Sequence, residues 1–144
     1  MSLHQQFEHD RATEKPPRLR HGAKALITHG ESVLLLKERH ADGTPFWTLP
    51  GGGRKPHESA ADALYRELRE EIHCRGEVQE LLDRFVYAHH STPTITVYQI
   101  FDCSIFGEIT PAITEGIFDV TWATADDLPT YTLPQVQMSV HSHL

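Results

Sequence analysis

Residues 52–74 read GGRKPHESAADALYRELREEIHC, and this stretch decides the fold. Its apolar residues recur at three- and four-residue spacing, which is typical of one face of an amphipathic helix. They are Ala61, Leu64, Tyr65, Leu68 and Ile72. Ser59 precedes them and is a candidate N-cap, because its hydroxyl can accept a hydrogen bond from the first turn. An amphipathic helix is therefore predicted from about residue 59.

Three glutamates crowd one edge of this predicted helix. Glu67, Glu70 and Glu71 stand at positions i, i+3 and i+4, close to the C-terminal end where the helix dipole disfavours carboxylates. Clustered carboxylate oxygens suit Mg²⁺ or Mn²⁺. A solvated helix face, with Arg66 paired to Glu70, explains the same charges and is commoner for a helix considered by itself.

A glycine run lies directly before this helix. Phe46 to Leu49 is predicted to be a short strand, and it ends in Pro50-Gly51-Gly52-Gly53. Glycines allow backbone carbonyl and amide groups to approach a ligand closely, so a carbonyl here could complete a metal shell. Arg54 and Lys55 add positive charge nearby. A simple glycine-rich turn is the alternative interpretation of the run.

The remainder of the chain is rich in strand patterns. A mobile arm is predicted for residues 1–19, which are polar and contain Pro16-Pro17, followed by a single domain at 20–144. The expected strands are Ala23 to Thr28 and Ser32 to Leu36 as a hairpin, Val78 to Tyr87 and Thr94 to Phe106 as a long antiparallel pair, and Phe118 to Trp122. Ala125 to Pro129 is predicted to be a short helical turn. Strands on both sides of a helix indicate an α/β sheet with helical cover.

Length and composition limit the function classes. The chain has 144 residues, which suits one domain, and a net charge of −7 disfavours general binding to a phosphate backbone. No apolar run approaches the ~20 residues of a membrane helix, and the first residues lack the apolar core of a secretory signal. Cys74 and Cys103 are too few for a disulfide framework, so they are expected to be reduced thiols in a cytoplasmic protein.

With its spacing written out, the deciding stretch resembles a known motif. Gly52, five residues, Glu58, seven residues and then Arg66-Glu67-Leu68-Arg69-Glu70-Glu71 are similar to the Nudix box, G-x5-E-x7-R-E-U-x-E-E-x-G-U. The lead-in from Trp47 to Gly52 also resembles that family. The resemblance implies an α/β/α sandwich with a mixed β-sheet.

The chain departs from the family pattern at two places, and each departure predicts a difference in a helix. The final glycine of the box is His73 here, and a histidine suits the left-handed helix end less well, so the helix is expected to run on towards Gly76. Few residues follow Trp122, so the C-terminal helix of some members is expected to be missing or reduced.

The resemblance implies hydrolysis of a nucleoside diphosphate linked to another group, by attack of water on phosphorus. Carried over position by position, Glu67, Glu70 and Glu71 would hold Mg²⁺, with Mn²⁺ as the alternative, joined by the carbonyl of Gly51. Arg66 would hold the glutamates in place by ion pairing, and Glu58 would orient the loop.

The remaining site residues follow from the same resemblance. The proton of the attacking water would pass to a box glutamate or to Glu115, an acid from a later loop. Arg39 would contact phosphate, and Gly52 and Gly53 would line the substrate. Alternatively, Glu115 is an acid on a surface loop without a catalytic role. Arg39 would then be a solvated charge at the end of a strand.

The sequence limits the substrate to a few classes of nucleotide without identifying one. A nucleoside triphosphate or related small-molecule nucleotide is the leading expectation, and ADP-ribose or a nucleotide sugar is second. Thr132 falls where relatives can have a base-reading asparagine, so specificity for 8-oxoguanine is not supported. A catalytically silent nucleotide-binding domain is disfavoured by the intact carboxylates. An RNA 5′-end pyrophosphohydrolase would need a basic patch, for which Arg18, Arg20 and Lys24 are the candidates. The family also makes a homodimer an open expectation.

Overall fold

The computed structural model describes residues 16–89 and 92–144. Within these ranges it has seven strands and two α-helices. The strands are β1 (Arg18–His29), β2 (Ser32–Arg39), β3 (Pro45–Thr48), β4 (Gly51–Gly53), β5 (Arg75–Ala88), β6 (Thr94–Phe106) and β7 (Asp119–Thr124). The helices are α1 (Ala60–Ile72) and α2 (Pro134–His143), and a short 3₁₀ helix covers Ile113–Glu115.

The strands form a mixed sheet, which confirms the predicted α/β class. The order is β3-β2-β1-β6-β5, with β4 paired to β1 and β7 paired to β2. β1 and β6 run parallel, from Arg18 opposite Thr94 to Ile27 opposite Cys103, and the other pairs are antiparallel. Both predicted pairings are confirmed: β1 turns into β2, and β5 lies against β6.

The apolar core has two parts, one under each helix. Leu64, Leu68 and Ile72 of α1 pack with one set of sheet residues, and Val136 and Val140 of α2 pack with another. Along β1 the side chains alternate between the two sets, as successive residues of a strand point to opposite faces of a sheet. The sheet is therefore covered by a helix on each face, as expected for an α/β/α sandwich.

The start of α1 is as predicted, but its end is not. The Ser59 hydroxyl accepts a hydrogen bond from the Asp62 backbone N–H at 3.0 Å, which confirms the N-cap. The helix ends at Ile72, so the expectation that it continues towards Gly76 is wrong. His73 adopts the left-handed conformation itself (φ 59°, ψ 30°), and its N–H bonds back to the Arg69 carbonyl. This turn lets the chain enter β5 directly, and Gly76 lies in that strand.

The C-terminal region also differs from expectation. The last helix is not missing, because residues 134–143 form α2, a helix of 10 residues. Pro134 stands in its first turn, where a backbone N–H would have no partner within the helix. Val136, Ser139 and Val140 are buried, so packing stabilises a helix that composition did not reveal. The short helical turn predicted for Ala125 to Pro129 is not a helix: residues 125 and 126 form a turn, in which the Asp127 N–H donates to the Thr124 carbonyl at 3.1 Å.

The predicted N-terminal arm falls mostly outside the described residues. Of residues 1–19, the structure describes those from Pro16, and Arg18 and Leu19 belong to β1. Their side chains are exposed, so this end of the strand lacks the apolar pattern from which strands are predicted. It is held instead by backbone pairing to β6.

Candidate active site

Arg66 binds several of the acidic groups that the sequence singled out. Its Nε and Nη2 atoms donate to the two Glu58 carboxylate oxygens at 2.8 and 2.9 Å. Its Nη1 donates to Glu67 at 2.8 Å and to Glu70 at 3.2 Å, and its Nη2 also donates to the Gly53 carbonyl at 3.0 Å. A planar guanidinium can span partners in this way, whereas a lysine cannot. The acidic helix edge and the glycine loop are therefore fixed to one another.

Glu58 is bound more completely than the other acids. Besides the two bonds from Arg66, it accepts a hydrogen bond from the Lys55 backbone N–H at 2.8 Å, so the loop closes on itself. The hydrogen bonds from Arg66 lower the pKa of Glu58 to about 2, so it is ionised at any physiological pH. Both of its oxygens are engaged, which suits orienting the loop.

Glu71 differs from its neighbours because it is buried, with 6% of its surface exposed. One of its oxygens accepts a hydrogen bond from the Gly51 backbone N–H at 2.8 Å. Burial raises the pKa of Glu71 well above its ordinary value, while Lys24 acts to lower it. Gly51 has a φ of +132°, and a Cβ there would lie 2.1 Å from the Ala23 carbonyl oxygen, so only glycine fits.

Lys24 supports this loop from inside the protein. It lies opposite Gly51 in the pairing of β1 with β4, and its ammonium group donates to the Gly51 carbonyl at 3.2 Å. It is 5% exposed and stands 5.0 Å from the centre of the Tyr98 ring. Burial lowers the pKa of Lys24, but Tyr98 and the nearby carboxylates outweigh this and the net change is upward. A lysine within the apolar run Ala23 to Thr28 was the available signal for this role.

The donor set at the helix edge fits a hard divalent cation. In the described part of the chain, Glu67, Glu70 and Glu71 each use one carboxylate oxygen in the hydrogen bonds above, and the second oxygen of each accepts none. Carboxylate and carbonyl oxygens are the ligands that Mg²⁺ and Mn²⁺ prefer. No group of three or more His, Cys, Asp or Glu side chains among the described residues is already gathered around one point. These oxygen donors therefore have the chemistry that Mg²⁺ or Mn²⁺ requires, but they are not already arranged as a complete coordination shell.

A cavity of about 220 Å³ adjoins Lys24. It is lined by residues of five strands and three loops: Lys24, Glu38, Arg39, His40, Ala41, Phe46, Thr48, Phe85, Tyr87, His89, Tyr98 and Leu133. His40 stacks on Phe46 with ring centres 4.2 Å apart, and Phe85 meets Tyr98 at 5.3 Å. Glu38 was not among the predicted site residues, because it stands in the polar end of β2 and no sequence pattern distinguishes it from a solvated strand-end acid. Burial raises the pKa of Glu38, and Lys24 opposes that rise.

The other predicted site residues lie around this centre. Arg39 ends β2, lines the cavity, and has its guanidinium 4.4 Å from the centre of the Phe118 ring. Glu115 is exposed, on the 3₁₀ helix, and the loop before it is held against the end of α1 by the bond from the Ala112 N–H to the Glu71 carbonyl at 2.9 Å. Gly52 and Gly53 form β4 beside the acidic edge.

The Thr132 hydroxyl is bonded locally, and the predicted basic patch of Arg18, Arg20 and Lys24 is divided between a groove and the buried side of the glycine loop. The Thr132 hydroxyl donates to the Pro129 carbonyl at 2.7 Å, so it is already engaged within its own turn. Arg18 and Arg20 line an open groove of about 670 Å³ together with Arg54 and Lys55. Lys24 does not join that groove, since it is buried under the glycine loop.

A comparison with family models identifies the fold. The NUDIX domain model matches residues 18–142. The chain belongs to the Nudix hydrolase family. Members of this family act on pyrophosphate linkages and generally use divalent metal ions.

Relatives and solved structures agree with the family assignment. The chain is 35% identical over 120 residues to nucleoside triphosphatase NudI of Enterobacter sp. (strain 638), covering 74% of this chain and 84% of that protein. It is 46% identical over 57 residues to an RNA pyrophosphohydrolase of Teredinibacter turnerae, covering 40% and 33%. The MutT NUDIX hydrolase of Burkholderia pseudomallei superimposes with a TM-score of 0.78 at 23% identity over 88% of this chain and 99% of that one, which shows the shared Nudix fold. Among the described residues, no helix is long and apolar enough to cross a membrane.

Proposed function

We propose that this Nudix protein is a metal-dependent pyrophosphohydrolase of nucleoside triphosphates. The observation that carries the proposal is the position of Lys24, whose ammonium group bonds to the Gly51 carbonyl and also lines the aromatic cavity. The acidic edge and the cavity are therefore neighbouring parts of one site. The name of the NudI relatives, nucleoside triphosphatases similar over three quarters of the chain, supports the same substrate class.

The size of the cavity supports a division of the substrate between these two parts. Its volume of about 220 Å³ lies below the roughly 300–1,000 Å³ of pockets that enclose a whole drug-sized ligand. Its walls are aromatic, which suits a flat ring. A nucleobase would enter the cavity, and the phosphates would lie towards the carboxylates.

Mg²⁺ would be held by Glu67, Glu70 and Glu71 with the Gly51 carbonyl. When bound, it would neutralise phosphate charge and lower the pKa of a bound water. The Gly51 carbonyl has two lone pairs, so its bond from Lys24 leaves one available. Arg66 keeps two of the carboxylates in place by occupying one oxygen of each, and Glu58 holds Arg66 from the other side.

The reaction needs a group that takes a proton from the attacking water. The candidates are a box glutamate, that is Glu67, Glu70 or Glu71, and the later acid Glu115. Glu71 is buried and accepts a hydrogen bond from the Gly51 N–H, whereas Glu115 is exposed at the end of the 3₁₀ helix that follows the loop bonded to α1. Replacing Glu115 by glutamine tests this acid, because loss of the base lowers kcat and removes the ascending limb of the pH–rate profile, while loss of a surface acid changes neither. An unchanged profile in Glu115→Gln assigns the role to a box glutamate.

The test is turnover of a substrate panel with and without Mg²⁺. The panel contains the common nucleoside triphosphates, 8-oxo-dGTP, ADP-ribose and a dinucleoside polyphosphate, with nucleoside monophosphate and pyrophosphate measured as separate products. We expect Mg²⁺-dependent release of pyrophosphate, lost in Glu71→Gln and retained in Glu80→Gln, whose side chain is exposed on β5. Faster cleavage of ADP-ribose than of any triphosphate would overturn the proposed substrate class.

A second candidate, an RNA 5′-end pyrophosphohydrolase, is favoured by the basic groove. Arg18, Arg20, Arg54 and Lys55 line it beside the glycine loop, and a phosphate backbone binds such clusters. A short 5′-triphosphorylated RNA is the discriminating substrate. Preference for that RNA over a free triphosphate, lost in Arg20→Ala and reduced by salt, would favour this candidate.

A further inference from the structure

The cavity contains a buried hydroxyl without a hydrogen-bond partner. Thr48 is 1% exposed, and its Oγ1 has no partner among the described residues. Buried polar groups in proteins are nearly always hydrogen-bonded, so an exception that lines a cavity points to a bound ligand as the missing partner. The same residue lies at the end of β3, directly before the strand gives way to the glycine loop.

Glu38 is placed on the same side of the sheet as this hydroxyl. In the pairing of β2 with β3, Glu38 lies opposite Phe46 and Leu36 lies opposite Thr48. Directly opposite residues share a face, and so do residues two apart on one strand. Glu38 and Thr48 therefore flank Phe46, and both line the cavity.

Several other polar groups of the cavity already have hydrogen-bond partners. The Nε2 atom of His89 is 2.8 Å from the Thr96 hydroxyl, and the Tyr87 hydroxyl is 3.4 Å from Nδ1 of His40. Lys24 is bonded to the glycine loop. Within the described residues, the Glu38 carboxylate and the Thr48 hydroxyl have no hydrogen-bond partner, so they are available to a ligand.

We propose that Glu38 and Thr48 recognise the polar edge of the nucleobase, and that the protein prefers bases with an exocyclic amino group to bases with carbonyl groups alone. A carboxylate only accepts hydrogen bonds, so it pairs with an amino group and faces a carbonyl with no bond formed. A hydroxyl can donate or accept, so Thr48 adapts to the neighbouring ring atom. This inference rests on the proposed function, since it names the substrate class of that site.

Cytosine and uracil provide the sharpest comparison, because they differ by an amino group against a carbonyl on rings of one size. A site that hydrogen-bonds a substrate N–H rejects the analogue that lacks it. We expect kcat/KM for CTP to exceed that for UTP by about tenfold or more, and GTP to exceed ITP in the same direction. In Glu38→Gln the preference should fall to within about threefold, since an amide both donates and accepts.

Matched variants separate recognition from structure. Thr48→Val keeps the shape and removes the hydroxyl, so it should lower kcat/KM for CTP, and Thr48→Ser should restore it. Glu31→Gln, in the exposed turn between β1 and β2, should leave the CTP to UTP ratio unchanged. Thermal melting of each variant checks that it is folded.

Calorimetric binding of CMP and UMP without metal tests base recognition separately from hydrolysis, so failure of the proposed function and failure of this inference can be told apart. If no triphosphate is hydrolysed, the proposed function fails, and tighter binding of CMP that Glu38→Gln abolishes still supports recognition by Glu38. If the wild type cleaves UTP as well as CTP and binds UMP as well as CMP, the inference is wrong and the function stands. A CTP preference that survives in Glu38→Gln also overturns the inference.

Discussion

Replacing Gly52 by alanine should impair the active site while leaving the fold stable. Gly52 does not have a left-handed φ, so alanine can adopt its backbone conformation. A Cβ at this position would lie 2.7 Å from Oε1 of Glu67 and 2.8 Å from its carboxylate carbon. Ordinary contact begins at 3.4 Å, so this carboxylate has to move by about 0.7 Å.

The consequence can be estimated from the same contacts. The displaced Oε1 is the atom that accepts the 2.8 Å bond from Arg66, and an ion pair of this kind contributes about 0.2–1 kcal/mol. Stability should therefore fall by less than about 1 kcal/mol. A misplacement of about 1 Å in a catalytic arrangement costs on the order of 100-fold in rate, so kcat should fall by roughly 30- to 100-fold.

Gly76→Ala is the matched control on the other side of the same helix. Its Cβ would lie 2.5 Å from Cδ1 of Leu68, a residue of the apolar core under α1. Overpacking a core typically costs about 1–3 kcal/mol, while the carboxylates stay in place. We expect the two variants to differ in opposite ways, with Gly76→Ala less stable but active and Gly52→Ala stable but slow.

The measurements are urea unfolding and Mg²⁺-dependent turnover of the best triphosphate, with rates normalised to folded protein. A kcat of Gly52→Ala within threefold of the wild type would show that displacing the Glu67 carboxylate does not impair catalysis. A loss of activity in both variants that only matches their unfolded fraction would likewise exclude a specific effect on the active site.

Three further outcomes are expected. Gly51→Ala should prevent folding or cost several kcal/mol, because its Cβ would meet a backbone oxygen at a φ that alanine rarely adopts, and a normal thermal melt would contradict this. Because Arg66 lowers the pKa of Glu58 from 4.5 to about 2, their bond stabilises the fold above pH 4.5 and is lost as pH falls towards 2. The difference in unfolding free energy between wild type and Arg66→Met should therefore shrink between pH 6 and pH 3, and a constant difference would exclude the linkage. Burial raises the thiol pKa of Cys74 and raises that of Cys103 to about 12, so native protein should resist iodoacetamide and react only when unfolded, as mass spectrometry would show.

Much of the fold follows from local sequence patterns. The helical spacing of apolar residues before Ile72, the Ser59 cap and the turn between β1 and β2 were all predictable, because each depends on residues close in the chain. The parallel pairing of β1 with β6 was not, since it joins segments separated by five other elements. The second helix was also missed, because its stability comes from burying Val136 and Val140 rather than from its composition.

In the candidate site too, contacts within one helix were predictable from the sequence, whereas contacts between distant segments were not. The spacing of Glu67, Glu70 and Glu71 on one helix predicted a shared edge of carboxylates, and Arg66 was predicted to pair with them. The sequence could not show that Glu71 is buried against Gly51, or that Lys24 reaches the same loop from β1. Those contacts depend on how β4 lies between the first strand and the helix.

By itself, the sequence determined the family, the helix with its row of acids, and the glycine loop before it. The tertiary structure alone decided the cavity beside that row, with Glu38 and Thr48 flanking Phe46 and with Lys24 joining the cavity to the loop. The physical reason is that helix faces and turns are set by interactions a few residues apart, whereas a cavity is the space left where distant strands pack. Its walls come from β1, β2, β3, β5 and β6, so no single stretch of the chain contains it.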